Sequence, residues 1–97
     1  MIQKGAIANG LAVPYPFGMN MILQVLDESG GTAVAISEDE ILNGVREIAK
    51  TEGLLISPEG AATWKALVDL NRAKIIRSSE KILLLNTGTG YKYMENF

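Results

Sequence analysis

Residues 32–40 read Thr-Ala-Val-Ala-Ile-Ser-Glu-Asp-Glu and carry the clearest structural signal in the chain. The first five residues are short and almost wholly apolar, a pattern typical of a buried strand. Ser37 and Glu40 then make a Ser-x-x-Glu capping box, which predicts a helix start. Apolar residues recur at helical spacing over residues 41–49, and Gly53 supplies the stop.

The same order continues towards the C-terminus. Residues 54–56 (Leu-Leu-Ile) are typical of a second buried strand. Residues 57–60 (Ser-Pro-Glu-Gly) predict a helix cap and first turn, and this helix is expected to fade near Lys74. Residues 77–80 are expected to form a turn. A third buried strand is expected to follow over residues 81–85.

Upstream of residue 32, the pattern of glycine, proline and apolar residues changes. Residues 1–15 are punctuated by glycine and proline and predict a connector loop. Pro16 can open a helix, which Gly30 can end. The chain from residue 16 onward therefore alternates helix and strand. This alternation predicts a single α/β segment over residues 1–97, built as part of a mostly parallel sheet with helices on both faces.

Composition excludes several classes of function. The chain has 97 residues, a formal net charge of -2 and nine basic residues without a basic run, which argues against nucleic-acid and membrane partners. It contains neither cysteine nor histidine, so disulfides, Cys/His zinc sites and Ser-His-Asp triads are impossible. We expect no metal site and a cytoplasmic protein.

The glycine-rich sequence at residues 87–90 (Thr-Gly-Thr-Gly) is the most suggestive chemical feature. It follows the third predicted strand at its carboxyl end, where ligands bind in open α/β sheets. Its glycines would let the backbone approach a ligand and its hydroxyls can donate hydrogen bonds. An ordinary tight turn explains the same residues, and Ser57 can likewise be read as an anion site or as a simple helix cap.

The lysines offer little chemistry on their own. Lys50, Lys65 and Lys74 are expected to lie on helices and to extend into solvent. Lys92 is the lysine near the glycine-rich loop, and Trp64 is expected in the core. The neighbouring acidic pairs of the helices are expected on solvated faces.

Taken together and in order, six motifs resemble the C-terminal part of threonine synthase. The similarity spans the chain from about residue 10 to residue 92. The motifs are Val-Pro-Tyr-Pro-Phe-Gly at 13–18, Glu-Ser-Gly-Gly-Thr-Ala-Val-Ala-Ile-Ser at 28–37, Glu-Ile-Leu at 40–42, Glu-Gly at 52–53, Ser-Pro-Glu-Gly-Ala-Ala at 57–62 and Asn-Thr-Gly-Thr-Gly-Tyr-Lys at 86–92.

The resemblance implies a pyridoxal-phosphate enzyme of the tryptophan-synthase β-subunit type. In that family the hydroxyl at the position of Thr87 faces the pyridine nitrogen of the cofactor, and Gly88 and Gly90 let the loop turn beneath the ring. Ser57 stands where relatives commonly have an acid, and Tyr91 where an aliphatic residue is common. The cofactor-anchoring lysine and the phosphate-binding loop lie upstream of the matched region, so no catalytic residue is assigned here.

The resemblance therefore implies a C-terminal fragment of a lyase that converts O-phospho-L-homoserine and water to L-threonine and phosphate, inactive alone. Its partners would be an amino-acid substrate, the missing N-terminal part and further copies in a homo-oligomer. Two alternatives stay open. One is a fragment of a serine/threonine dehydratase with the same cofactor, and the other is a non-catalytic, self-associating α/β module whose apolar faces have lost their cover.

Overall fold

The computed structural model describes residues 18–96, which form three α-helices and a terminal 3-10 segment. The elements are α1 (Met19–Ser29), α2 (Glu38–Glu52), α3 (Pro58–Arg72) and the 3-10 segment (Gly90–Asn96), which kinks at Tyr93. The predicted connector over residues 1–15 and the predicted helix start at Pro16 lie outside the described residues. Within residues 18–96, every helix is too short or too polar to cross a lipid bilayer.

The helix ends confirm the local signals of the sequence. Ser37 precedes α2 in an extended conformation, and its hydroxyl accepts a hydrogen bond from the Glu40 backbone N–H at 3.2 Å. Gly30 and Gly53 end α1 and α2 with positive φ angles of 68°, which glycine adopts without strain. The predicted turn at residues 77–80 is also present, closed by the Glu80 N–H to the Arg77 carbonyl at 3.1 Å.

The predicted parallel sheet is wrong for the described residues. Residues 32–36 and 81–85 run without strand pairing, and over residues 18–96 the one β contact is an isolated antiparallel bridge between Ile56 and Thr89. The prediction rested on the apolar content of these two segments. A strand also needs neighbours for its N–H and C=O groups, and neither segment has one within residues 18–96. Leu83 and Leu85 remain 84% and 69% exposed.

A small core joins α2, α3 and the segment between them. Ile41, Val45, Ile56 and Ala61 are buried there. Gly44 brings the two helices together, because a Cβ at that position would lie 3.2 Å from the Ala61 carbonyl oxygen. In contrast, α1 buries none of its residues within the described part of the chain.

A polar contact fixes α2 against α3 beside this core. The Glu47 carboxylate accepts hydrogen bonds from the Lys65 ammonium at 2.9 Å and from the Trp64 indole N–H at 3.0 Å. The expectation that Lys65 extends into solvent is wrong, since its side chain is only 14% exposed. Trp64 is half-buried rather than fully in the core, and Lys74 lies beyond the end of α3. The Lys65 and Trp64 hydrogen bonds hold the pKa of Glu47 below its ordinary value of 4.5.

Glu47→Gln removes the charge from two hydrogen bonds and should lower the free energy of unfolding at neutral pH. Because solvent screens these hydrogen bonds at a half-exposed site, we expect a loss of only about 1 kcal/mol. The folded-state pKa of Glu47 is depressed, so its stabilisation is complete above about pH 4.5 and is lost as the pH falls through the folded pKa. Urea unfolding of both proteins at several pH values measures this difference.

Glu52→Gln is the matched control, because Glu52 is exposed on the same helix. It should change stability by less than about 0.5 kcal/mol. A Glu47→Gln variant as stable as the unaltered chain at pH 7 would contradict the assigned contact.

Candidate functional site

The start of α3 lies directly beside the glycine-rich loop. Ser57 caps α3 by accepting a hydrogen bond from the Gly60 N–H at 3.2 Å. The same hydroxyl donates to the Asn86 side-chain oxygen at 3.3 Å, although the two residues are 29 positions apart. Ser57 is only 2% exposed. One buried hydroxyl therefore holds both the helix start and the beginning of the loop.

Gly60 makes this close approach possible. A Cβ at Gly60 would overlap the Asn86 side chain, whose Cγ would lie 2.9 Å away. The small residue in the first turn of α3 is therefore required by a neighbour that is distant in sequence. The Ser-Pro-Glu-Gly pattern accounts for Ser57 as a cap, and Asn86 is the neighbour that Gly60 accommodates.

The far end of the loop is held by the segment before α3. The Leu55 carbonyl accepts hydrogen bonds from the Gly90 N–H at 2.9 Å and from the Thr89 hydroxyl at 3.4 Å. A Cβ at Gly90 would lie 2.6 Å from Leu55 Cγ and 2.7 Å from the Ile56 carbonyl oxygen. Gly90 thus serves the docking of the loop, and the backbone N–H groups of Gly90 and Tyr91 both donate within the protein.

A cleft of about 290 Å³ opens between the loop and the helix start. It is lined by Ser57, Glu59, Thr87, Gly88, Thr89, Lys92 and Tyr93. The Thr89 hydroxyl is engaged with Leu55, whereas the Thr87 side chain is exposed and its hydroxyl has no hydrogen-bond partner within residues 18–96. Of the two loop threonines, Thr87 is the one able to donate a hydrogen bond to a ligand.

The terminal 3-10 segment closes another side of the cleft. The Tyr93 hydroxyl donates to the Glu59 carboxylate at 3.3 Å, which ties this segment to the first turn of α3. Partial burial, and then the negative charge of Glu59, raise the pKa of the Tyr93 phenol, so it stays protonated and remains a donor. The side chain of Lys92 is exposed at the same cleft.

The structure brings together most of the residues that the sequence singled out. Thr87, Gly88 and Lys92 line one cleft with Ser57. Gly90 does not line it and is instead buried against residues 55–56. Sequence reasoning missed the contributions of Asn86 and Tyr93. Their partners are 29 and 34 positions away in the chain, and no local spacing reports such contacts.

Comparisons with known proteins place the chain in context. Residues 2–88 match the family described as "Pyridoxal-phosphate dependent enzyme". The threonine synthase of Methanocaldococcus jannaschii is 30% identical over 86 residues, which are 89% of this chain and 21% of that protein. The threonine synthase of Methanosarcina acetivorans is 29% identical, over 84% of this chain and 20% of its own length.

A third relative gives similar proportions. The threonine synthase of Bacillus sp. strain ULM1 is 27% identical over 93% of this chain and 26% of its own length. The chain thus spans about a fifth to a quarter of the length of the curated relatives it matches.

We expect Gly90→Ala to lower the free energy of unfolding by about 1–3 kcal/mol, because its Cβ would press against backbone and side-chain atoms of residues 55–56. Gly88→Ala is the matched control in the same loop. Its Cβ would meet Ser57 Cβ at 3.4 Å, an ordinary contact distance. Thermal unfolding of both variants measures the contrast, and equal losses would contradict the docking assigned to Gly90.

Proposed function

Since the chain belongs to the family of pyridoxal-phosphate dependent enzymes, we propose that it is the C-terminal part of a threonine synthase-like member. The complete protein would convert O-phospho-L-homoserine and water to L-threonine and phosphate. The observation that carries the proposal is the Thr87 hydroxyl, which lacks a partner within residues 18–96 and lines a cleft beside the start of α3. The three relatives named as threonine synthases support this choice within the family.

The residues of the cleft fit the proposed cofactor. Thr87 would donate a hydrogen bond to the pyridine nitrogen. Gly88 would leave room for the cofactor beside Ser57, because it carries no side chain. When bound, pyridoxal phosphate supplies an electron sink that stabilises negative charge at the α-carbon of an amino-acid substrate.

Thr87 would influence how strongly the cofactor withdraws electrons, through its hydrogen bond to the ring nitrogen. A hydroxyl can donate to an unprotonated ring nitrogen, whereas a carboxylate at the same place would require a protonated one. The arrangement of the loop supports Thr87 over Thr89, whose hydroxyl already donates to the Leu55 carbonyl. Gly90 would act indirectly, by fixing the loop that carries Thr87.

The surface of the chain supports the proposal that the rest of an enzyme covers it. Exposed apolar side chains occur on α1, at Leu54 and along residues 83–85. We propose that these faces contact the N-terminal part of the enzyme. Assembly into a homo-oligomer remains a prediction.

We expect the isolated chain to retain no pyridoxal phosphate, because in the proposed enzyme the lysine that anchors the cofactor covalently would lie outside this chain. After incubation with the cofactor and dialysis, the absorbance spectrum should show no bound cofactor. The Lys92→Arg variant is the control, since Lys92 is the lysine at the cleft. A band that survives dialysis and disappears in Lys92→Arg would contradict the fragment proposal.

In the full-length gene product, we expect phosphate release from O-phospho-L-homoserine. Thr87→Val should lower kcat by about tenfold, the value of one hydrogen bond, while Thr87→Ser keeps most of it. Steady-state phosphate assays measure both variants. Ammonia and 2-oxobutanoate formed from threonine instead would identify a dehydratase, and equal rates for Thr87→Val and the unaltered enzyme would exclude the role of Thr87.

A further inference from the structure

A second cleft lies at the other end of α3 and takes no part in the proposed function. The cofactor cleft is at the first turn of the helix, whereas this one is formed by its C-terminal half and the segment that follows. A helix of 15 residues is roughly 22 Å long, so the two clefts are well separated. The second cleft has a volume of about 340 Å³, within the range of small-molecule sites.

The wall of this cleft is fixed by backbone hydrogen bonds. After α3 the chain reverses at Lys74, a non-glycine residue with a φ angle of 59°. The N–H groups of Ile75 and Ile76 both donate to the Leu70 carbonyl, at 3.0 and 3.3 Å. The reversal brings Ile76 and Arg77 into the lining of the cleft together with residues of α3, so the cleft is a built feature of the fold.

The floor of the cleft is apolar and includes an anchored aromatic ring. Trp64, Leu67 and Ile76 contribute to it. The Trp64 indole N–H donates to Glu47 at 3.0 Å, which restrains the ring. A restrained ring loses little side-chain entropy when a flat ligand packs against it.

The rim of the cleft carries two guanidinium groups. Arg72 and Arg77 both line it and are both exposed. The ion pair recorded over residues 18–96 joins Lys65 to Glu47, so neither arginine has a carboxylate within ion-pair distance in this part of the chain. Glu80 also lines the cleft, but its carboxylate accepts the Arg77 backbone N–H at 2.8 Å and closes the turn.

We propose that this cleft binds small organic anions with a flat aromatic body, such as aryl carboxylates and aryl sulfonates. The aromatic body would pack against Trp64 and the apolar floor. The anionic group would accept hydrogen bonds from Arg72 and Arg77, whose planar guanidinium groups suit carboxylate and sulfonate oxygens.

The test uses 1-anilinonaphthalene-8-sulfonate as the probe and N-phenyl-1-naphthylamine as its uncharged counterpart. Trp64 lines the cleft and is the only tryptophan of the chain, so its fluorescence follows binding of the probe, and the arginine variants assign that binding to this cleft. The Arg72→Gln/Arg77→Gln double variant should bind the sulfonate about tenfold or more weakly, because it loses two charged hydrogen bonds. Its affinity for the uncharged probe should stay within about twofold, because the apolar floor is intact.

Arg46→Gln is the matched control, since Arg46 is exposed on α2 and does not line the cleft. It should leave both affinities unchanged. Circular dichroism checks the helices of each variant, and added salt should weaken binding of the sulfonate more than that of the uncharged probe in the unaltered chain. Two results would overturn the proposal. One is equal binding of the two probes at every salt concentration, and the other is an equal loss of affinity in Arg46→Gln and the double variant. Either would indicate non-specific hydrophobic binding.

Discussion

The arrangement of the cofactor cleft depends on one buried hydroxyl, that of Ser57. It completes the start of α3 through the Gly60 N–H and holds the loop through Asn86. A hydroxyl can serve both because it accepts one hydrogen bond and donates another. Removing it would leave a buried helix end without its cap, so the local stability of α3 and the position of Thr87 share one cause.

The helices could be predicted because their signals are local. A capping serine such as Ser37 and a terminating glycine such as Gly53 act on backbone groups within four positions. The three helix regions therefore agree with the sequence pattern wherever the structure describes them. The candidate site could be predicted in part for the same reason, since Thr87 and Gly88 belong to a short motif that lies at the end of a recognisable segment.

The strands could not be predicted in the same way, because a strand is defined by its neighbours. Residues 81–85 are apolar, and apolar character says only that burial would be favourable. Whether their backbone groups pair depends on chain that lies elsewhere, and within residues 18–96 only Ile56 and Thr89 form a bridge. The contacts of Asn86 and Tyr93 were missed for a related reason, since each partner is remote in sequence.

The contact of Glu47 with α3 lies between the two clefts and bears on whether they act independently. Its carboxylate holds Trp64 and Lys65 in the middle of α3, and this anchors the helix to α2. A ligand at the arginine cleft would meet a ring that is already restrained, so little motion is available to pass towards Ser57. Coupling between sites requires an element with two arrangements. The structure shows the middle of α3 anchored to α2 by the contacts of Glu47, so we expect binding at one cleft to leave the affinity of the other unchanged.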